Sequence, residues 1–341
     1  MTKKERLLHI LKGEGADRPA CICPGGMMNM VTAELMEVCG AALPAAHSDA
    51  EAMAALAKAV SDWGCFENVG VPFCMTVEAE AMGAKVDMGS QIYEPHVKEF
   101  VIDSVCELEK LSPMDLTAGR AKVVLDSISI LKQQCPDVPV IGNLTGPVST
   151  AMSLVEPTVF CRELRKKNAQ AHAYMDFVTE QLLSFGLAQI EAGVDVIAIS
   201  DPSGTGEILG PKYFAEFAVP CLNRLVDAFR EKNVGTIVHI CGQMNQVYPQ
   251  VAQVRSHALS FDAIVSMRGA RENLPGRVLM GNVSTYGLEF GTCEKIRTMT
   301  QACLKTGVDI LAPACGLGMK TPLVNIQTML SALKEAYDGE N

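Results

Sequence analysis

Eight short runs of this chain are apolar at nearly every position, and segments of helical periodicity separate them. The runs cover 20–23, 67–73, 138–144, 195–200, 236–240, 263–266, 278–281 and 309–312. A strand with water on one face alternates apolar and polar side chains. A run apolar throughout is buried on both faces, as in a parallel sheet covered by helices. Helical spacing is read over 2–13, 27–38, 49–62, 118–134, 147–155, 157–192, 211–232, 245–254, 268–273, 292–306 and 322–337. Strand–helix alternation of this kind demands crossover connections, so the strands run parallel. Eight of them favour a closed α/β fold, the (β/α)8 TIM-type barrel. A doubly wound open sheet is the alternative, and no G-x-G-x-x-G follows a strand to mark its dinucleotide-binding form. The segment 84–102 is irregular or hairpin-like, and the N-terminal quarter reads as a decoration of the barrel. No linker, repeat or low-complexity stretch divides the chain, so 1–341 is expected to form one domain.

Composition narrows the function classes. The formal net charge is −10, and no Lys/Arg block carries interleaved aromatics, which argues against nucleic-acid binding. An acidic surface leaves room for a partner with a basic face. No apolar run approaches the ~20 residues that cross a bilayer. The charged start, Met1 to Leu8, has no apolar segment behind it of the kind a signal peptide needs. Thirteen cysteines, an odd number scattered through apolar segments, suggest reduced thiols and a cytoplasmic location and give no disulfide framework.

Several strands are expected to end in polar residues, and in a barrel those ends line the active site. Asn143, Asp201, His239, Asn282 and Cys315 lie at or just beyond strand ends. His239 and Cys241 are two apart on one strand and therefore share a face. A second strand end can bring Cys315 to them. One imidazole and two thiols suit a tetrahedral zinc with one position open, although H-x-C is short and a buried core histidine is the plain alternative. Asp201 is a candidate acceptor for the His239 ring. Glu78 and Glu80 follow the second strand, and Glu78 is a candidate proton acceptor or fourth ligand. Met28 and Asn29 stand at the first strand's end as candidates to line a ligand pocket. Cys21 and Cys23 read as core.

The chain resembles the uroporphyrinogen decarboxylase superfamily, and within it the methylcobamide:coenzyme M methyltransferases. The resemblance rests on Asp17-Arg18-Pro19, Cys23-Pro24-Gly25-Gly26-Met27-Met28-Asn29, the stretch from Val71 to Glu80, His239-Ile240-Cys241-Gly242, Met280-Gly281-Asn282-Val283 and Ala314-Cys315-Gly316. It implies a TIM-type barrel and zinc bound by His239, Cys241 and Cys315. The superfamily's decarboxylases carry arginines near the N-terminus for substrate propionates. The stretch from Cys23 to Met30 has none, which disfavours that activity here.

The resemblance also implies transfer of a methyl group from a methylcobamide to a thiol such as coenzyme M. Zinc would lower the thiol's pKa from its ordinary ~8.5, with Glu78 and Asp201 as catalytic candidates. No D-x-H-x-x-G corrinoid motif occurs, so the methylated corrinoid is expected on a separate protein. The expected partners are that protein and a small thiol, and a homo-oligomer is compatible with both. Arg268, Arg271 and Lys320 near strand ends are candidate partners for a sulfonate. Other acceptors or donors (a folate, homocysteine, a methylated amine or ether) and a non-enzymatic zinc scaffold stay open at this level.

Overall fold

The computed structural model describes residues 1–338. Among these, ten strands form: β1 (Ala20–Cys21), β2 (Val69–Val71), β3 (Lys85–Asp87), β4 (His96–Glu99), β5 (Val140–Thr145), β6 (Val196–Ser200), β7 (Gly235–Ile240), β8 (Ala258–Phe261), β9 (Val278–Val283) and β10 (Ile310–Pro313). Eight build one sheet in the order β1-β10-β9-β8-β7-β6-β5-β2, with parallel pairing throughout. Residues of β5, β6, β8 and β10 are buried at every position, as their unbroken apolar runs require. Strands β3 and β4 form a separate antiparallel hairpin, the excursion expected at 84–102.

The ring is a (β/α)8 TIM-type barrel whose junctions are not alike. Seven are backbone ladders. The eighth, between β1 and β2, is closed mainly by side chains, because these strands are only two and three residues long. The Glu67 amide donates to the Cys21 carbonyl at 2.8 Å. The Asn68 side chain then imitates a peptide: its Oδ1 accepts from Cys23 N at 2.9 Å and its Nδ2 donates to the Cys23 carbonyl at 2.8 Å. Beneath this seam the buried Glu67 carboxylate accepts from Arg18, from Arg6 and from the Cys21 amide.

Helices close the outside, and their ends follow local chemistry. Thr2 and Glu5 form a reciprocal capping box at the start of Lys3–Leu11. Asp49 caps Ala50–Asp62. Gly193, in the left-handed region, ends the 25-residue helix Asn168–Ala192.

Helix bounds shift in several places, and two elements differ most from the sequence expectation. The strand expected at 263–266 lies at Ala258–Phe261, where its register with Ile237 on β7 and Val278 on β9 completes the ring. Ile264, which made the later run look like a strand, is exposed on the loop that follows. The helix expected from Met27 begins only at Ala33, capped by Thr32. Gly25 and Gly26 have φ of 104° and 60°, and a Cβ on either would fall within 3 Å of Asn143. That tight turn sends the chain across the barrel mouth before a helix can start.

Candidate metal centre

Strand β7 alternates its side chains, so Ile237, His239 and Cys241 point one way. His239 is buried, and Cys241 and Cys315 are half-buried. Cys315 arrives from the loop after β10, three strands round the ring from β7. The Cys241 Sγ lies 3.3 Å from His239 Nε2, and one donor atom from each of the three residues falls within 4.8 Å of the others. Donor atoms around a tetrahedral zinc stand about 3.5–3.8 Å apart, given Zn–S near 2.3 Å and Zn–N near 2.05 Å. The spacing and the soft donor set therefore fit zinc with a fourth position left over.

The imidazole is held from behind. His239 Nδ1 is 2.9 Å from Ser260 Oγ on β8, and the two residues are register partners. Coordination through Nε2 requires the proton on Nδ1, which then donates to the serine hydroxyl and fixes the ring. A hydrogen bond from Cys241 pulls the Cys315 thiol below its ordinary value, with His239 adding to the effect. The same bond, and burial, push Cys241 up.

The other residues expected in the site take more varied places. Asp201 does not contact the imidazole. Its carboxylate accepts from Val148 N, Ser149 N and Ser149 Oγ at the start of the helix Pro147–Leu154, so it caps that helix where it was expected to orient His239. Glu78 is buried and accepts from Thr145 N at 2.7 Å and Thr145 Oγ1 at 2.9 Å. Burial raises the carboxyls of both Glu78 and Asp201. Asn143 and Asn282 sit inside strands and stitch loops. Asn143 donates to the carbonyls of Pro24 and Val71, and Asn282 to those of Asp262 and Val265. Met28 is buried, and its carbonyl accepts from Cys23 Sγ. Arg271 bonds Asp309, the residue before β10, so it stands at the barrel's opposite end from the centre.

Asn29 lies closer to the centre. The loop carrying it packs on the loop carrying Cys315: a Cβ on Gly316 would lie 2.6 Å from the Met27 carbonyl and 3.2 Å from Asn29 N. Asn29 Nδ2 is 3.4 Å from Glu94 Oε1, on the turn between β3 and β4. The hairpin therefore reaches the mouth. The Glu94 carboxyl is raised, first by the protein crowded around it, and the Cys315 charge adds to that. Ser260, Asn68 and Glu94 were missed by sequence reasoning. Only Ser260 carried a signal, a hydroxyl between Leu259 and Phe261 in an otherwise apolar run.

Comparisons with known proteins agree with this architecture. The chain is 33% identical over 335 residues to the methylcobamide:CoM methyltransferase MtbA of Methanosarcina acetivorans, covering 98% of each chain. It is 33% identical over 342 residues to the methylcobamide:CoM methyltransferase MtaA of Methanosarcina barkeri, again covering 98% of each. A solved methyltransferase structure from Methanosarcina mazei superposes with a TM-score of 0.92 at 35% identity, covering 99% of both chains. The family model for uroporphyrinogen decarboxylase (URO-D) matches residues 2–336, and this chain belongs to that family.

Proposed function

We propose that this chain is a zinc-dependent methyltransferase that moves a methyl group from a methylated corrinoid, carried by a separate protein, to a small thiol, with coenzyme M as the leading acceptor. The observation that carries the proposal is the His239–Cys241–Cys315 set at the mouth, three donors where a closed structural zinc site has four. Its full-length relatives named as methylcobamide:CoM methyltransferases support the choice of donor and acceptor.

His239, Cys241 and Cys315 would hold the ion, and a zinc bound there supplies thiol activation by favouring the thiolate form of the acceptor. Ser260 holds the imidazole in place through Nδ1 and leaves Nε2 facing the cysteine sulfurs. Two protein thiolates keep the centre electron-rich, so an acceptor sulfur beside it retains its nucleophilicity. Half-burial of both cysteines limits water around that sulfur. With a methylated corrinoid as donor, the acceptor sulfur would take the methyl carbon and cobalt would keep the bonding pair as Co(I).

The test is zinc content together with demethylation of methylcobalamin by a panel of thiols. The native protein should carry one zinc per chain and lose both metal and activity to a strong chelator. Cys241→Ala and Cys315→Ala should bind less than one tenth of that zinc at matched free metal. Full zinc and activity in both variants would refute the site. Turnover with a folate alone would refute the thiol acceptor.

A further inference from the structure

Among the described residues eleven large apolar side chains are exposed, and they are unevenly distributed. Six stand on segments that follow strands at the barrel's mouth end: Ile92 and Tyr93 on the β3–β4 turn, Ile208 after β6, Ile264 after β8, and Tyr286 and Phe290 after β9. Val324 begins the helix that follows β10, and the other four are single residues at helix ends, at the N-terminus and after β4. Tyr286 and Phe290 are 72% and 66% exposed, with ring centroids 4.8 Å apart. Folding alone does not place two adjacent aromatic rings in water, and a rim of this kind marks a surface that another molecule covers.

We infer that this rim is the docking surface for the protein that delivers the methylated corrinoid, with Tyr286 and Phe290 as its anchor. The inference rests on the function proposed above and adds the surface and the kind of face it fits. Two observations select the occupant. First, the six side chains surround the mouth through which the donor must reach His239, Cys241 and Cys315. Any body covering them also covers the centre, and only the donor's carrier has to do so at each turnover. Second, the same segments carry Glu94, Glu207, Asp262 and Glu289 against Lys212 and Arg268, and Lys320 follows β10. Glu94 faces Asn29, and Glu207 accepts from Gln243 N, two residues beyond Cys241. None of the four carboxylates forms an ion pair among the described residues. The rim is apolar with a negative excess, so it fits a carrier whose corrinoid-bearing face is apolar at its centre and basic at its edge. A second acidic copy of this chain is a poor match for it.

The experiment compares two donors on the zinc-loaded enzyme with one thiol. Free methylcobalamin reports the chemistry without docking. A purified corrinoid protein of the D-x-H-x-x-G class, in its methyl-Co(III) form, reports docking and chemistry together. For the double variant Tyr286→Ser/Phe290→Ser, kcat/KM with the carrier should fall at least tenfold, mainly through KM. Its rate with free methylcobalamin should stay within twofold of the native rate. Carrier binding measured by calorimetry should weaken by the same factor. Native kcat/KM with the carrier should also fall as salt rises, while the rate with free methylcobalamin does not. Unchanged carrier kinetics and binding would overturn the inference, as would equal losses with both donors. Self-association of the native chain that the double variant abolishes would overturn it by assigning the rim to a second copy. Turnover with free methylcobalamin but a carrier that ignores the rim leaves the proposed function standing. A native enzyme that demethylates neither donor refutes that function and the docking surface with it.

Discussion

Replacing Ser260 by alanine tests the centre through a residue that touches no metal. Ser260 and His239 are both almost fully buried, and one 2.9 Å contact joins them. The variant removes the acceptor for the Nδ1 proton and leaves a gap smaller than a water molecule, so no solvent takes its place. An unpaired buried donor costs about 1–3 kcal/mol. That cost falls on the tautomer that coordinates through Nε2, and the ring gains by moving its proton to Nε2, toward the Cys241 sulfur. Zinc affinity should drop about 10–100-fold, or roughly 1.4–2.8 kcal/mol at 1.4 kcal/mol per decade. The assay is competition for zinc against a fluorescent chelator at pH 7, with Ser260→Thr as the variant that keeps a hydroxyl. Native zinc affinity in Ser260→Ala would refute the role assigned to the hydroxyl. Equal losses in the alanine and threonine variants would show that packing at this position matters and the hydrogen bond does not.

The seam between β1 and β2 should depend on Asn68. Asn68→Ala leaves the Cys23 amide and carbonyl unpaired and should cost about 2–4 kcal/mol in urea unfolding, whereas a loss under 1 kcal/mol would mean the ladders alone hold the ring. Asp201→Ala should destabilise the fold by about 2–3 kcal/mol through the uncapped helix Pro147–Leu154 and leave zinc affinity unchanged. A parallel loss of zinc binding would show that Asp201 acts on the imidazole after all. On the acid side, hydrogen bonds from Arg6 hold the Asp17 carboxyl down to about 2, against an ordinary 3.8. A depressed carboxylate stabilises the fold above its unfolded value and loses that contribution as the pH falls toward 2. Asp17 is exposed, so screening leaves about 1 kcal/mol, and Asp17→Asn should flatten the stability curve by that amount between pH 4 and 2.

The fold was largely legible because a parallel barrel hides both faces of its strands, which makes them uniform apolar runs. The one misplaced strand shows where this signal is lost. β8 carries Ser260 in its middle, and the hydroxyl that serves His239 also breaks the apolar run that would have marked the strand. The loop beyond it, Ala263-Ile264-Val265, with Ile264 in solvent and Val265 buried, has the more strand-like sequence. At the centre, His239 and Cys241 could be paired by the two-residue period. Their distance to Cys315 depends on ring closure and on a loop three strands away, neither of which is local. Asn143, Asn282 and Asp201 were read as ligand-facing because polar residues at strand ends often are. Here the Nδ2 groups of both asparagines go to backbone carbonyls and the Asp201 carboxylate to the start of a helix, while Asn143 Oδ1 is left buried without a partner, a pattern that one-dimensional spacing does not reveal.

The uneven closure of the ring bears on how the centre moves. His239 and Cys241 ride on β7, flanked on both sides by unbroken ladders. Cys315 hangs from β10, whose far neighbour β1 is the two-residue strand beside the side-chain-closed seam. Local opening is cheapest where the backbone pairing is thinnest. The barrel is thus a clamp with one fixed jaw and one hinged jaw. The side nearest the seam bears Cys315 together with Asn29, so a local opening there should alter the gap between Cys315 and the pair on β7 before it reaches that pair.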